Sequence, residues 1–418
     1  MLTKRTFVVL LIGILALMGV MAAAAQEEVG IVHYYSSTLG QETMAQLFGT
    51  FAEANPGYVV VDNSAGHEDF KTQILVTIAG NNPPDIFSYW AGARTQFVVD
   101  ADRLLPLTDF WTENNLDDII PAGVKSAAIY NGEVYNIPMN VHVVGFFYNP
   151  KVLADAGFDT PPATWDEFMT MGQALIDNGV APIALGSMNR WPAQYWFDYM
   201  VSYTAGADYR QQLMAGEAAY TDEEVQVAME MWKSLVDGGF FVENANAYDW
   251  TDAADQVANG TAAMTLMGTW ITGYWDGNGL VAGEDYDFFP FPVMNPDLPV
   301  ITHGSIDGWA VPAGSSNPDG AKALLLHMLS PEAQATWAQG QGALAAVNNV
   351  DASIYSPVMK KASDYLGQVA FLSGYDLSTT PPMAEGGLNM FAQFMNDPSG
   401  YMDYLTQTEE VAVEVFGK

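Results

Sequence analysis

The sequence predicts an α/β protein built as two lobes with a cleft between them. The chain has 418 residues, more than one compact core usually holds. Segments typical of strands alternate with segments of helical periodicity, which indicates parallel βαβ units with helices on both faces of a sheet. An extended run from Gly132 to Leu153 has no helical periodicity and joins one α/β series to the next. No Pro/Ser linker separates the two series, so we expect extended strands to form a hinge.

The first series is read from short alternating segments. "VGIVHYYSS" predicts a strand and "GQETMAQLFGTFAEA" a helix that ends at Asn55-Pro56-Gly57. "YVVVDNS" then predicts a strand, residues 70–79 a helix and "PDIFSYW" another strand. The apolar residues of the first helix share one face, and they are Met44, Leu47, Phe48 and Phe51.

The second series carries local signals for helix ends. Thr164 with Glu167 forms a capping-box pattern at the start of a helix, and Thr221 with Glu224 repeats the pattern. "DWTDAADQVANGTAAMTLMG" predicts a helix, a turn at Gly260 and a strand. "GQGALA" resembles a dinucleotide-binding fingerprint, but it follows a helix and is better explained as a helix end.

The first 25 residues predict a secretory signal sequence. Lys4 and Arg5 precede an apolar run from Phe7 to Val20, and small residues then lead to a cleavage site after Ala25. The alternative is a membrane anchor, but no basic stop-transfer sequence follows the apolar run. We therefore expect an exported protein.

Charge and cysteine content exclude several classes of protein. Removal of Lys4 and Arg5 leaves 12 basic and 49 acidic residues, a formal charge of −37. Such a surface repels nucleic acid and anionic lipid, because binding either requires clusters of Lys and Arg. Cysteine is absent, which excludes disulfides, a Cys–Zn site, a cysteine nucleophile and a lipid-modified N-terminal cysteine. No cofactor motif is found.

A short stretch of mixed chemistry, "NRWPAQYWF" at residues 189–197, is a candidate binding site. One of the few arginines, Arg190, lies there beside Trp191 and other aromatic residues. A pocket for a ligand that is both polar and flat-faced would use this mixture. The alternative is a helix edge at which Arg190 takes part in a local ion pair.

The segment "YNIPMNVHVVGFFYNPKVLADAGFDTPPATWDEF" resembles the central segment of family 1 solute-binding proteins, the maltose-binding-protein-like receptors of ATP-driven sugar importers. "PDIFSYWAG", "NGTAAMTLMGTW", "IDGWAVPAGSSNPDGA" and "LSPEAQATWAQ" support the resemblance in order and spacing. The resemblance implies a type II periplasmic-binding-protein fold that closes on a carbohydrate and docks on ABC permease subunits. It implies an N-lobe of residues 26–139 plus 310–345 and a C-lobe of residues 140–309 plus 346–418.

The resemblance, together with the chemistry of sugars, selects the candidate ligand-binding residues. A pyranose has apolar faces that favour Trp and Tyr, and its hydroxyls need polar partners. Trp270 resembles the stacking tryptophan of the family, and Trp90 ends a predicted strand at its carboxyl end, where open α/β sheets bind ligands. The candidates are Ser37, Glu42, Gly66, His67, Trp90, Asn140, His142, Arg190, Trp191, Trp270, Asp307, Trp309 and Glu385.

Alternatives remain for some residues and for the function. Glu42 is equally explained as a charge in the first turn of a helix, and His142 as a structural histidine. A secreted glycoside hydrolase would use two carboxylates, but no hydrolase motif is present. A surface adhesin would be expected to show repeats or a C-terminal anchor. The same clamp could also bind a cationic ligand or a peptide. We therefore expect a monomeric, periplasmic receptor that has no cofactor and no enzymatic activity.

Overall fold

The structure is a computed structural model that describes residues 26–417. The predicted signal sequence lies outside the described residues. In the described part the strands are β1 (Glu27–Val32), β2 (Tyr58–Asp62), β3 (Ile86–Trp90), β4 (Ile129–Tyr130), β5 (Glu133–Val134), β6 (Ile137–Tyr148), β7 (Ala181–Ile183), β8 (Ala262–Gly268), β9 (Asp287–Phe289), β10 (Ile301–Ala310), β11 (Leu344–Ala345) and β12 (Ala370–Ser373).

Helices alternate with these strands along most of the chain. They are α1 (Thr38–Ala54), α2 (His67–Ala79), α3 (Ala93–Asp100), α4 (Thr108–Glu113), α5 (Ala122–Lys125), α6 (Pro150–Asp155), α7 (Trp165–Asp177), α8 (Gln194–Thr204), α9 (Ala207–Met214), α10 (Glu223–Asp237), α11 (Trp250–Ala258), α12 (Trp270–Gly277), α13 (Pro318–Met328), α14 (Pro331–Gln341), α15 (Pro357–Leu366), α16 (Tyr375–Ser378), α17 (Pro381–Asn396) and α18 (Tyr401–Phe416).

Local capping chemistry explains several helix ends. Thr164 accepts a hydrogen bond from the Glu167 amide, and the Glu167 carboxylate accepts from the Thr164 amide, so the first predicted capping box is confirmed. The second is wrong. Helix α10 begins one residue later than predicted, with Asp222 at the N-cap and no side-chain capping bond. Helix α14 ends at Gly342, whose φ of 58° is left-handed, as the interpretation of "GQGALA" requires.

The main sheet is mixed rather than parallel. Its strand order is β2-β1-β3-β10-β6-β8-β7. Strand β1 pairs in parallel with β2 and β3, and β7 pairs in parallel with β8, as the βαβ pattern predicts. The central strands β10 and β6 are antiparallel to each other and to their outer neighbours. The parallel prediction fails there because β6 and β10 cross between the lobes in opposite directions.

Two separate cores define the lobes. Most buried apolar side chains of the first core come from Val29 to Met139 and from Trp309 to Val347. Those of the second come mainly from Val141 to Ile306 and from Val358 to Ala412. We call the parts around these cores the N-lobe and the C-lobe. The two-lobe fold is therefore observed, whereas the residue boundaries given above for each lobe stay a prediction.

A further contact between the lobes is made by the segment from Ser373 to Ser378. The buried Asp198 carboxylate accepts a 2.8 Å hydrogen bond from the Tyr375 amide and pairs with Arg210 at 2.7 Å. Arg210 also donates to the Ser373 carbonyl and the Ser378 hydroxyl, each at 2.9 Å. These bonds fix the segment on the C-lobe, while Leu377 packs into the N-lobe core. We call this segment the bridging segment.

Among residues 26–417, no helix has both the length and the hydrophobicity required to span a bilayer.

Candidate functional site

The two crossing strands place four polar side chains at the junction of the lobes. In the antiparallel register Asp307 is opposite Asn140 and Ser305 is opposite His142. Asn140 Nδ2 donates to Asp307 Oδ2 at 2.9 Å, and Trp337 Nε1 donates to Asn140 Oδ1 at 2.9 Å. The amide of Asn140 is therefore fixed in one orientation, and it holds the carboxylate of Asp307.

The carboxylate of Asp307 is buried without a full counter-charge. Its residue is only 3% exposed, and burial raises its pKa to about 6, although hydrogen bonding from Asn140 favours the charged form. His142 Nε2 lies 3.4 Å from Oδ2, but burial lowers the pKa of His142 to about 3, so the imidazole is neutral at neutral pH. Oδ1 has no hydrogen bond of ordinary geometry to any residue in 26–417. Asp307 therefore has acceptor capacity left for a ligand.

Aromatic rings of the N-lobe surround the end of β3. Trp90, the last residue of this strand, stacks on Tyr34 with centroids 4.5 Å apart and an angle of 10°. His67 begins α2 and contacts Trp90 edge-on at 5.4 Å. The Arg94 guanidinium lies 5.6 Å from the centre of the Trp90 ring. Trp90 is thus held in place from several directions.

The C-lobe contributes three more rings. Trp270 is the first residue of α12, two residues beyond the end of β8, and it contacts Trp191 at 5.8 Å and Tyr195 at 6.4 Å. The His142 ring meets Trp270 edge-on at 5.2 Å. Gly268 makes room for the indole, because a Cβ there would lie 2.0 Å from the Trp270 ring. A glycine at the end of β8 therefore sets the position of Trp270.

Two polar contacts and one ring contact join the lobes around these aromatics. His67 approaches Trp191 with centroids 6.1 Å apart, and Lys71 Nζ lies 5.9 Å from the centre of the Trp191 ring. Arg94 Nη2 donates to Asp376 Oδ2 of the bridging segment at 2.9 Å. We call His67, Trp90, His142, Trp191, Tyr195 and Trp270 the cleft cluster.

Charges next to the cleft cluster are paired with each other. Glu68 lies 2.8 Å from His67 Nδ1 and 3.0 Å from Lys71 Nζ. Burial alone would raise the pKa of Glu68, but its hydrogen bond with His67 and the nearby Lys71 charge outweigh burial and lower the pKa to about 2. Burial lowers the pKa of His67. Lys71 therefore has its counter-ion within the N-lobe and is not left as a free charge toward the cleft.

Arg190 and Glu385, both candidates from the sequence, pair with each other. Arg190 Nη1 is 2.9 Å from Glu385 Oε2 and donates to Asn389 Oδ1 at 2.7 Å. Arg190 has a φ of 65°, so the backbone turns at this residue just before Trp191. The ion pair that was the alternative explanation of Arg190 is present. The structure gives its guanidinium partners on α17 and shows no contact with the cleft cluster.

Four other candidates lie outside the cleft cluster. Ser37 is exposed and caps α1 by accepting a hydrogen bond from the Gly40 amide, and Glu42 is an exposed residue of the same helix. Gly66 precedes α2 as its N-cap. Trp309 is wholly buried in the N-lobe core and meets Trp337 at 6.1 Å. The structure thus assigns Ser37 a helix-capping contact and Trp309 a packing contact.

Several residues at the junction were not selected from the sequence. They include Tyr34, Lys71, Arg94, Tyr195, Trp337 and Asp376. Tyr195 belongs to the aromatic stretch at residues 189–197, and Tyr34 lies in the segment "VGIVHYYSS" that predicts the first strand, so both had a local signal. Arg94 is one of few basic residues, but no local pattern relates it to Asp376, 282 residues away.

Comparisons with known proteins show the same fold and a family of related sequences. An uncharacterised ABC transporter extracellular-binding protein of Pyrococcus horikoshii is 28% identical over 390 residues, 92% of this chain and 85% of that protein. The structure is similar to that of the bacterial solute receptor AcbH, with a TM-score of 0.86 and 25% identity over 94% of this chain and 100% of that chain. AcbH is reported to have an exclusive substrate preference for β-D-galactopyranose. A chitin oligosaccharide binding protein is similar with a TM-score of 0.82 and 22% identity, covering 94% and 100%.

Two lobes that meet around a cluster of aromatic and hydrogen-bonding side chains define a solute-binding protein of the type II class. The model of the bacterial extracellular solute-binding protein family matches residues 35–335, more than half of the chain. The chain belongs to this family, and it is an extracellular solute-binding receptor of an ABC transporter. Proteins of this family bind solutes and are not enzymes.

Proposed function

We propose that this receptor captures a neutral carbohydrate between its lobes and delivers it to the membrane permease. The observation that carries the proposal is the cleft cluster. It presents Trp191, Tyr195 and Trp270 next to the carboxylate of Asp307, whose Oδ1 has no hydrogen bond of ordinary geometry within residues 26–417. Indole and phenol rings cover the apolar faces of a sugar, and a carboxylate accepts strong hydrogen bonds from its hydroxyls.

The roles assigned to individual residues follow from their positions. Trp270 stacks on the sugar, Asp307 accepts hydroxyl hydrogen bonds, and His142, Asn140 and Trp90 hold these groups in place. Arg190 and Glu385 stay at the edge of the site as an ion pair, and Gly66, Ser37 and Glu42 shape the N-lobe side next to it.

Hinge closure is the proposed signal to the permease. The ligand stabilises the closed form only through contacts that it makes to both lobes at once, because equal affinity for open and closed forms shifts no population. Strands β6 and β10, together with the bridging segment, form the hinge between the predicted lobes. The closed form docks on the permease subunits as a monomer. The signal sequence and the absence of cysteine favour a periplasmic protein without a lipid anchor.

A cationic ligand or a peptide is the competing occupant of the same cleft. The acidic composition favours a cation, but Asp376 already pairs with Arg94 and Glu68 already pairs with Lys71. The third carboxylate, Asp307, has no cationic partner within residues 26–417, and Asn140 already donates a hydrogen bond to it. A neutral ligand fits this balance better than a cationic one.

A thermal-shift panel of mono- and oligosaccharides, with spermidine and a tripeptide as competing ligand classes, tests the proposal. A saccharide at a hundred times its Kd should stabilise the protein by about 2.7 kcal/mol, and small-angle scattering should show compaction with the same saccharide. Chromatography of the sugar after incubation should show stoichiometric binding without turnover. Stabilisation and compaction by spermidine or the tripeptide, with no response to any saccharide, would contradict the proposal.

Delivery is tested with a reconstituted permease. The sugar-loaded receptor should stimulate ATP hydrolysis by its transporter, and the Trp270→Ala variant at the same sugar concentration should stimulate it less. Equal stimulation by the sugar-free and sugar-loaded receptors would contradict the role of closure.

A further inference from the structure

Receptors with this fold take ligands of different lengths, so the fold does not determine how many sugar rings the cleft holds. The contacts between the lobes bear on this question. A site for an oligosaccharide needs at least one open side, through which the other sugar rings extend away from the ring that is bound at the cleft cluster. The lobes meet on several sides of the cleft cluster.

One side of the cleft cluster is closed by α2 against the start of α8. His67 and Lys71 of the N-lobe both approach the indole of Trp191, at 6.1 Å between ring centroids and 5.9 Å from Nζ to the ring centre. Rings at this separation are in direct contact and leave no space for a sugar between them. Trp191 itself is only 7% exposed.

A second side is closed by α3 against the bridging segment. Arg94 and Asp376 form an ion pair at 2.9 Å, and their side chains are 11% and 10% exposed. The Asp376 amide donates to Gln194 Oε1 at 2.9 Å, so the acidic partner is fixed to the first residue of α8. This pair therefore blocks the path between Trp90 and the C-lobe.

A third side is closed by the backbone itself, where α14 meets α12. A Cβ at Gly342 would lie 2.5 Å from the Gly273 nitrogen, and a Cβ at Gly273 would lie 3.0 Å from the Gln341 carbonyl carbon. The backbones of α14 and α12 approach so closely at Gly342 that a side chain would collide there, and no sugar ring passes between them. The crossing strands β6 and β10 occupy the remaining direction.

Among the tryptophans and the tyrosine of the cleft cluster, Trp90, Trp191 and Tyr195 are buried and Trp270 is partly exposed. A groove for a sugar chain would need several accessible rings along its length, since each additional sugar requires its own apolar platform, and this cluster offers one. The available polar atoms are also few. Around the cleft cluster, the buried atoms without a hydrogen-bond partner in the described part of the chain are Trp191 Nε1, Asp307 Oδ1 and Arg94 Nε.

From this enclosure we infer that the receptor is specific for a single, uncharged sugar ring and rejects longer saccharides. The inference rests on the proposed function and adds the size of the ligand to it. The neutral hydroxyls of one ring match the small number of free donors and acceptors, and a glycosidic substituent would have to displace a contact between the lobes. Rejection of longer saccharides therefore comes from lobe closure and not from the aromatic platform.

Calorimetry with a size-graded panel tests the inference on the unmodified protein. The panel contains D-glucose, D-galactose, D-mannose and D-xylose, the disaccharides lactose, maltose and sucrose, and the trisaccharide raffinose. At least one monosaccharide should bind at least tenfold tighter than every disaccharide that contains it. A disaccharide or trisaccharide that binds as tightly as the best monosaccharide overturns the inference but leaves the proposed function standing. Absence of binding by every saccharide overturns both.

A pair of lysine variants tests whether the lobe contacts cause the selection. Lys71→Ala removes the contact between Lys71 and the Trp191 ring. The ratio of the disaccharide Kd to the monosaccharide Kd should therefore fall at least threefold. Lys151→Ala is the matched control, because Lys151 pairs with Asp285 at 2.8 Å on the exposed surface of the C-lobe. Its preference should equal that of the unmodified protein. An unchanged preference in Lys71→Ala overturns the enclosing role of this contact.

Discussion

Asp307→Asn should stabilise the protein and weaken sugar binding at the same time. The carboxylate is buried at the junction of the lobes, and its one close basic neighbour, His142, is neutral at neutral pH. The folded protein therefore holds a negative charge where burial disfavours it. The amide of asparagine has nearly the same shape, carries no charge and still accepts a hydrogen bond from Asn140.

The magnitude follows from the pKa of Asp307, which burial raises from 3.8 to about 6. A shift of about 2 units corresponds to about 3 kcal/mol of folding free energy. Because the folded pKa is raised, this contribution to stability is fully present below pH 3.8 and is lost as the pH rises through about 6. The asparagine variant has no such loss. The free energy of unfolding of the variant should therefore exceed that of the wild type by up to about 3 kcal/mol at pH 8, and the two should be equal near pH 3.5.

Urea unfolding at several pH values between 3.5 and 8, followed by circular dichroism, measures the stability difference. Calorimetry with the best-binding monosaccharide measures affinity, which we expect to fall at least tenfold at pH 8. In the wild type the affinity should also fall by about tenfold from pH 7 to pH 5, since the ionised fraction of a group with a pKa of about 6 falls by about that factor. The Asn variant should have a flat profile over this range.

Asp276→Asn is the matched control. Partial desolvation raises the pKa of Asp276 too, but this residue is exposed, and its carboxylate accepts a hydrogen bond from the Tyr286 hydroxyl within the C-lobe. The sugar affinity of the Asp276→Asn variant should equal that of the wild type. The reasoning is refuted if Asp307→Asn lowers stability and affinity together at every pH, because Asp307 would then be a structural partner and not a charge held for the ligand.

The other predictions concern residues with clearer single roles. Trp270→Ala should weaken sugar binding at least tenfold, which corresponds to about 1.4 kcal/mol or more of binding free energy. The midpoint of urea unfolding should change little, because the indole is only partly buried. Unchanged affinity by calorimetry would reject the stacking role of Trp270. Thr164→Ala removes the N-cap of α7 and should lower the free energy of unfolding by about 1 kcal/mol without affecting binding, as urea titration and calorimetry will show. Asp198→Asn leaves the buried Arg210 guanidinium without its counter-charge and should lower the free energy of unfolding by about 3–5 kcal/mol; a smaller loss than for Thr164→Ala would contradict the proposed anchoring of the bridging segment.

The candidate site was only partly predictable from the sequence. Trp90, Trp191, Trp270 and His142 were selected from local patterns and the family resemblance, and the structure brings them together. Arg190 was selected for its unusual neighbours, yet its guanidinium pairs with Glu385 instead of the cleft cluster. A sequence pattern shows that an arginine lies beside aromatic residues. It does not show in which direction the side chain leaves the backbone.

The sequence by itself determined the features that depend on near neighbours. Local patterns were enough to predict the alternation of strands and helices, the Thr164–Glu167 capping box and the helix end at Gly342, because each depends on interactions over a few residues. The length of the chain was enough to predict more than one core. The failure at Thr221 shows the limit, since the helix after this second capping-box pattern begins at Glu223, with Asp222 and not Thr221 as its N-cap.

Only the tertiary structure decided which distant residues meet. Asn140 bonds to Asp307 over 167 residues and Arg94 to Asp376 over 282 residues. Such pairs depend on the crossing of β6 and β10 and on the docking of the bridging segment, which together bring chain segments from both lobes to one junction. The enclosure of the cleft has the same origin. It arises from the packing of whole helices against one another, which no local spacing of residues encodes.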